Sequence, residues 1–349
     1  MKLFLTGATG FIGQALVTRM LARGWEVHAL VRDHFSIPAA WLAAQGCILV
    51  DGDVTRAQGL AEAMVGMDAV VHNAGVYELG ANAATCARMQ QVNVGGTDNV
   101  LGAAFKAGVA KTVYVSTVWA LGGSGPADQP SIARDESQRH TGVYLTPYER
   151  SKAEAHEVAL SWRARGLNLV TAMPNGVVGA NDHSAFGYFL RLYLLSRLPP
   201  IAWGGDAVFA FVDVDALAEG LCLAVEQAAP GSDYLFCGPP MDLRALFALW
   251  GHHPGAMAPL IWLPRWLARP LMMPMEPLLR ALGLPAFMSR DTVDATRVHL
   301  DYSSGKAERE LGWAHPAPDS MWKTIIHRER ELMAGRTGFL NKLRHQPVA

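Results

Sequence analysis

Charge is scarce in this chain of 349 residues: Asp, Glu, Lys and Arg together make up 17%, and the formal net charge is -1 at pH 7. A near-neutral chain lacks the basic footprint that a phosphate backbone demands, and its few basic clusters have no aromatic interleaving, which argues against nucleic acid as a partner. Cysteine is scarcer still. Cys47, Cys86, Cys222 and Cys237 stand too far apart for a CxxC site, no metal is expected, and free thiols of this kind suit a reducing cytoplasm. Repeats and low-complexity runs are absent, and the opening MKLFLTG reads as a strand rather than a secretion signal. Hydrophobic residues, by contrast, make up 50% of a chain long enough to bury a large core.

Glycine is concentrated where it carries meaning. TGATGFIG at residues 6–13 follows the apolar run Leu3 to Leu5 and precedes Ala15, Leu16 and Met20 at helical spacing, which reads as strand, turn, helix. Gly7 can take the tight turn, Gly10 lets the backbone approach a pyrophosphate, and Gly13 permits close packing of a helix whose N-terminal N–H groups face the anion. The spacing is GxxGxxG rather than GxGxxG, so the loop alone is equally a plain turn. The strand-to-helix setting favours a dinucleotide.

A second motif, TPYERSK, begins at Thr146. Pro147 suits a first helical turn, Thr146 can cap it, and Glu149 completes a Thr-x-x-Glu capping box, so Tyr148 sits in the opening turn with Lys152 on the same face. The lysine ammonium favours tyrosinate, bringing a phenol with a reference pKa of about 10 closer to the working pH and making Tyr148 a proton donor. YxxxK alone is more often an ordinary helix start, and it is the glycine loop that turns the balance.

Apolar runs near 2–6, 25–31, 47–50, 69–72, 112–116 and 168–173 alternate with helical stretches, which predicts a doubly wound parallel α/β sheet of the Rossmann kind. Residues 1–173 form the expected dinucleotide-binding domain. Beyond Pro174 the pattern loosens around Pro199-Pro200, Gly204-Gly205, Pro230-Gly231 and Pro239-Pro240. There a smaller substrate-binding part is expected over 174–349, with returns to the sheet near 209–215 and 234–237.

With these motifs in order, the chain resembles the extended short-chain dehydrogenase/reductase family, also called the NAD-dependent epimerase/dehydratase superfamily. In character it is most similar to the dihydroflavonol reductases and 3β-hydroxysteroid dehydrogenases. The resemblance extends through Asp51-Gly-Asp-Val54, His72-Asn-Ala-Gly75, Val94-Gly-Gly-Thr97, Val115-Ser-Thr117, Pro174-Asn-Gly-Val-Val-Gly179 and Phe211-Val-Asp-Val-Asp215. It implies Thr117 as the hydroxyl that holds a substrate carbonyl, with Ser116 the neighbouring alternative, Tyr148 as acid/base, and Lys152 as ribose ligand and tyrosine activator. It also implies a homodimer through helices near 83–107 and 147–165.

The cofactor is expected along Gly7, Thr9, Gly10, Phe11, Ile12, Gly13, Arg32, Asp53, Val54, Asn73, Ala74, Gly75, Tyr148, Lys152, Pro174 and Val177. The second strand ends Leu30-Val31-Arg32-Asp33, where Arg32 can accept a 2′-phosphate through its planar, permanently charged fork, and this predicts NADP. If Asp33 faces the ribose instead, NAD is the cofactor. Tyr77, Trp119, Asn175, Phe186, Tyr188 and Trp203 are the substrate-pocket residues expected, with core packing the equal alternative for each aromatic.

The leading expectation is therefore hydride transfer between nicotinamide and a carbonyl or secondary alcohol. A nucleotide-sugar epimerase or dehydratase with retained NAD is the second, and a catalytically silent NADP(H)-binding sensor or structural subunit the third, against which the intact Tyr148/Lys152 pair speaks. Pro259 to Phe287 packs Leu, Ile, Trp and Met around Trp262, Trp266, Met272, Met273 and Met275, with Arg265, Arg269 and Arg280 interspersed. Its prolines and arginines exclude a transmembrane helix and leave three readings: a surface that dips into a bilayer, a lid over an apolar channel, or core. Lys323, Arg328, Arg330, Arg336, Lys342 and Arg344 would assist anionic lipid binding, or serve only as solvated charges.

Overall fold

A computed structural model describes residues 1–253, 256–336 and 338; Lys342 and Arg344 lie outside the described residues. Seven parallel strands form the main sheet: β1 (Lys2–Thr6), β2 (Glu26–Val31), β3 (Ile48–Asp51), β4 (Ala69–His72), β5 (Lys111–Val115), β6 (Leu169–Pro174) and β7 (Asp233–Phe236). They run in the order β7-β6-β5-β4-β1-β2-β3. The winding reverses between β1 and β4, and the carboxyl ends of those strands open the crevice in which such sheets bind ligands.

Alternation along each strand feeds two cores. Leu3, Leu5, Ala69 and Val71 pack on one face with Leu16, Val17 and Met20 of the helix Phe11–Ala22 and with Leu217 and Leu221 of the helix Val214–Gln227. Phe4 and Val70 point to the other face, against Val100, Leu101 and Ala104 of the helix Gly96–Lys106 and Ala155, Ala159 and Trp162 of the helix Pro147–Ala164. Burial on both faces explains why these strands are continuous apolar runs.

The expected return at 209–215 takes a different course. Val208–Asp213 pairs in parallel with Gly176–Val178 and antiparallel with Pro240–Asp242, in a separate three-stranded sheet. The place beside β6 is already filled by β7, paired from Asp233↔Thr171 to Phe236↔Pro174, so the 234–237 return does join the main sheet. The helix predicted near 83–107 is also interrupted. Ala83–Met89 and Gly96–Lys106 are α-helical, and Gln90–Gly95 between them is a π-turn of the sort often found at functional sites.

The helix Pro147–Ala164 starts as expected at its cap, where the Thr146 hydroxyl accepts the Glu149 N–H at 3.1 Å. Glu149 does not close a capping box. Its carboxylate accepts the Leu145 N–H and contacts His140 Nε2 at 3.2 Å, because burial forces it to use the nearest donors upstream. Pro259 to Phe287 forms a short strand, Ile261–Leu263, and two short helices, Arg265–Met272 and Met275–Ala281. Among the described residues no helix is long and apolar enough to cross a membrane.

Candidate active site

The glycine loop is shaped by what touches it. Gly7 has φ +73°, and a Cβ there would lie 2.8 Å from Ala74 N and Asn73 C, so only glycine fits between the β1 and β4 loops. Asn73 Nδ2 donates to Gly7 O at 3.3 Å and Ala74 N donates to Thr6 Oγ1 at 3.1 Å, tying the two loops together. A Cβ on Gly13 would meet Gly7 O at 2.1 Å, so Gly13 serves close packing behind the loop. The helix then begins at Phe11 with Gly10 as N-cap and no side chain bonded to its first turn, leaving N–H groups for an anion.

Beneath the loops lies a buried crossbeam that the motifs do not announce. His72 contacts Thr6 Oγ1 at 2.8 Å and Thr97 Oγ1 at 3.1 Å. Burial, aided by the nearby Lys152 ammonium, pushes its pKa down to about 3, so the imidazole is neutral. Asn93, carried by the π-turn, accepts the Val76 N–H at 2.7 Å and donates to Val76 O and Ser151 Oγ, each at 2.9 Å. It thereby fastens the loop after β4 to the helix that bears Tyr148.

At the end of β2, Arg32 is exposed on the crevice while Asp33 is turned away into a local turn. The Asp33 carboxylate accepts the Phe35 N–H at 2.9 Å and its carbonyl accepts Ser36 Oγ at 2.8 Å. Burial pushes the Asp53 carboxyl up, but hydrogen bonds from Thr55 and the proximity of Arg32 and Arg56 hold it below its usual range.

At the other end, Thr117 follows β5 and caps the turn Val118–Ala120, its hydroxyl accepting the Trp119 N–H at 3.4 Å. Ser116 Oγ beside it is buried without a hydrogen-bond partner among the described residues. Tyr148 packs edge-on against Tyr77, ring centres 4.6 Å apart. Lys152 Nζ donates to Val115 O at 3.4 Å and sits 5.4 Å over the Tyr114 ring. Lys152 and a hydrogen bond with Thr117 do pull the Tyr148 pKa down, yet burial outweighs them and the phenol is raised above its ordinary value. The expectation of a phenol shifted toward neutral pH is thus reversed, because desolvation of the anion is the larger effect.

One cavity of about 1130 Å³ joins these parts. Its lining includes Gly7, Thr9, Gly10, Phe11, Ile12, Arg32, Asp53, Val54, Asn73, Ala74, Gly75, Pro174 and Val177, then Thr117 and Tyr148, then Tyr77, Trp119, Asn175, Phe186 and Trp203. Gly13 and Lys152 stand behind its wall. Tyr188 does not reach it, packing instead on Phe287 at 5.3 Å with Leu192 alongside. The Asn175 amide is occupied, donating to Leu300 O at 2.8 Å and accepting the Gly176 N–H at 2.9 Å.

The cavity also holds Asp182 and His183, which no motif marked; the only signal was a polar run, Asn181 to Ser184, after an apolar strand. The Asp182 carboxylate accepts the Ser184 N–H and hydroxyl at 2.8 and 2.7 Å, and burial holds it above the usual carboxylate range. His183 stands edge-on to Phe11 at 6.2 Å.

A loop where a Cβ would clash, an uncapped helix start and an exposed arginine at the ribose end together fit a nicotinamide dinucleotide. The NAD dependent epimerase/dehydratase family matches residues 3–236. The 4-hydroxy-2-methyl-3-oxo-4-farnesyl-3,4-dihydroquinoline-1-oxide ketoreductase of Stigmatella aurantiaca is 30% identical over 321 residues, covering 90% of this chain and 92% of its own. The 3 beta-hydroxysteroid dehydrogenase/Delta 5→4-isomerase of Mycobacterium tuberculosis is 27% identical over 325 residues, 89% of this chain and 85% of its own. Among solved structures, DesIV, the dTDP-glucose 4,6-dehydratase of Streptomyces venezuelae with NAD and TYD bound, has a TM-score of 0.72. It is 24% identical, covers 96% of this chain and 98% of its own, and speaks to the fold. The chain belongs to the NAD-dependent epimerase/dehydratase family of extended short-chain dehydrogenases/reductases, and is an NAD(P)-dependent oxidoreductase.

Proposed function

We propose that the protein is an NADP-dependent carbonyl reductase, or in reverse an alcohol dehydrogenase, acting on a hydrophobic substrate in the cytoplasm. The observation that carries this reading is the charge of the cavity wall. Among the described residues that line it, only Arg32 and Arg88 are permanently cationic, and Arg88 faces Glu78 at 4.0 Å. Arg32 is free to meet a 2′-phosphate, while the far end, walled by Phe186, Phe189, Trp203, Trp250 and Phe287, offers no cation to a sugar-nucleotide diphosphate. This weighs against the epimerase or dehydratase reading, which the match to the NAD dependent epimerase/dehydratase family keeps as the alternative. A sensor or structural subunit would not need Tyr148 at the cavity wall.

The reduced nicotinamide, when bound, supplies a hydride to the carbonyl carbon. Thr117 donates a hydrogen bond to the carbonyl oxygen, and Tyr148 delivers its proton to that oxygen as negative charge develops. Lys152 stabilises the tyrosinate left behind. Burial raises the Tyr148 phenol above its ordinary value, which suits it to the donor role in reduction. Residues 174–349 supply most of the substrate wall. We further assign a homodimer through the helical stretches 83–107 and 147–165, to be checked by light scattering, where a monomer mass would exclude it.

The test is to purify the protein without added nucleotide, identify released cofactor by mass spectrometry, titrate with NADPH and NADH, and then screen hydrophobic ketones and aldehydes. No retained cofactor, tighter NADPH binding and ketone turnover are expected. Stoichiometric retained NAD would refute the dissociable-coenzyme reading and point to nucleotide sugars.

A further inference from the structure

The segment 256–287 makes two surfaces at once. Met257, Pro259, Leu284, Pro285 and Phe287 line the catalytic cavity. The outer side of the same segment is also apolar: Leu260 is 75%, Trp266 76% and Leu282 63% exposed, with Ile261, Leu271, Met273 and Leu278 about half exposed. The helices Arg265–Met272 and Met275–Ala281 bury Ala268, Met272 and Leu279 inward, while Trp266, Leu271, Met273 and Leu278 remain exposed among the described residues. Eight of the nineteen large hydrophobics exposed among the described residues fall between Met257 and Leu282, a density that scattered surface side chains do not produce.

Charge selects the occupant. The one carboxylate between 256 and 287, Glu276, is buried and bonded to Arg290, so the segment presents no exposed acid of its own. Arg265 pairs with Asp206 and Arg269 with Asp294 at its rim, while Arg280 stands at the end of the second helix. An apolar face of short helices carrying a tryptophan, its flanking carboxylates Asp206 and Asp294 paired to arginines and Arg280 at its edge, matches the interface of a bilayer, with hydrocarbon below and headgroups beside.

We propose that this face docks flat on a lipid bilayer and sets the cavity mouth against it, so that an apolar substrate passes from lipid into the site without crossing water. The delivery half rests on the reductase reading given above; the docking half does not. Trp266, Leu278 and Leu282 insert shallowly, and Leu284 and Phe287 form the threshold between bilayer and cavity.

The test is co-sedimentation of the full chain with sucrose-loaded vesicles of phosphatidylcholine, alone or mixed with phosphatidylglycerol, comparing the natural protein with Trp266→Ser/Leu278→Ser. Both side chains are exposed and neither lines the cavity, so the variant should keep its melting temperature and its turnover of a water-soluble ketone. The natural protein is expected to pellet with both lipids, more with the anionic mixture, and the variant to bind at least about tenfold more weakly. Turnover of a ketone dissolved in the vesicles should fall with it. The proposal is overturned if the natural protein stays in solution with both lipids, or if both proteins pellet equally. It is also overturned if the natural protein self-associates without lipid and the variant restores the smaller species, which assigns the face to a second copy. Vesicle binding with no ketone turned over would defeat the reductase reading and leave the docking intact.

Discussion

Replacing Asn93 with alanine should loosen the site from beneath. The side chain makes three hydrogen bonds, two to the backbone of Val76 and one to Ser151 Oγ. Ser151 keeps a second partner, since its hydroxyl donates to Tyr148 O at 2.8 Å, but Val76 loses a partner for both its N–H and its C=O. Orphaned buried backbone groups cost about 1–3 kcal/mol each. Val76 is only half-buried, so water can partly replace Asn93, and the expected loss is about 2–4 kcal/mol. The chemical-denaturation midpoint should fall accordingly. NADPH affinity should fall with it, because Gly75 and Val76 line the cofactor end of the cavity. Ser151→Ala should cost less, and the double variant should cost less than the two single losses added, since they share one bond. A loss under about 1 kcal/mol, or strict additivity, would refute the idea that the π-turn exists to hold this clamp.

Arg32→Ala should weaken NADPH binding about 10- to 100-fold, the worth of one or two charge-assisted hydrogen bonds, while leaving NADH within about threefold. Equal losses for both coenzymes would refute the 2′-phosphate assignment, and the preference should shrink as salt is raised because Arg32 is exposed. Stability should also decline in mild acid. Burial holds His72 at about 3 and His156 at about 4, so both stay neutral in the folded chain while the unfolded chain takes up protons below about 6.5. Their contribution is fully present above that value and is lost as pH falls toward 4, at up to about 1.4 kcal/mol per pH unit for each histidine. His156→Gln should flatten the slope, and equal denaturation midpoints at pH 7 and pH 5 would contradict it.

The sheet was legible because its inner strands obey one strong rule, that burial on both faces makes them largely apolar runs; the edge strand β3 is only partly buried, yet the ends of all six strands from β1 to β6 fall within a residue or so of the expected ones. Val208–Asp213 carries the same kind of pattern, yet pairing partners are set by which sheet edge is vacant, and β7 had taken it. Tyr188 and Phe186 lie two residues apart on one helix and only the second faces the cavity, a choice made by Phe287 from about 100 residues away. Asp182 and His183 belong to no motif. The direction of the Tyr148 shift could not be read because YxxxK shows the charge beside the phenol but not the burial around it.

Tyr148 is the proton donor of the proposed reduction, and Tyr148→Phe tests that role most directly, since the ring and its packing on Tyr77 are kept and only the hydroxyl is lost. Single-turnover reduction of a hydrophobic ketone by bound NADPH should slow by about 10²- to 10⁴-fold while the NADPH dissociation constant stays within about threefold. Reduction at the unaltered rate would contradict the account.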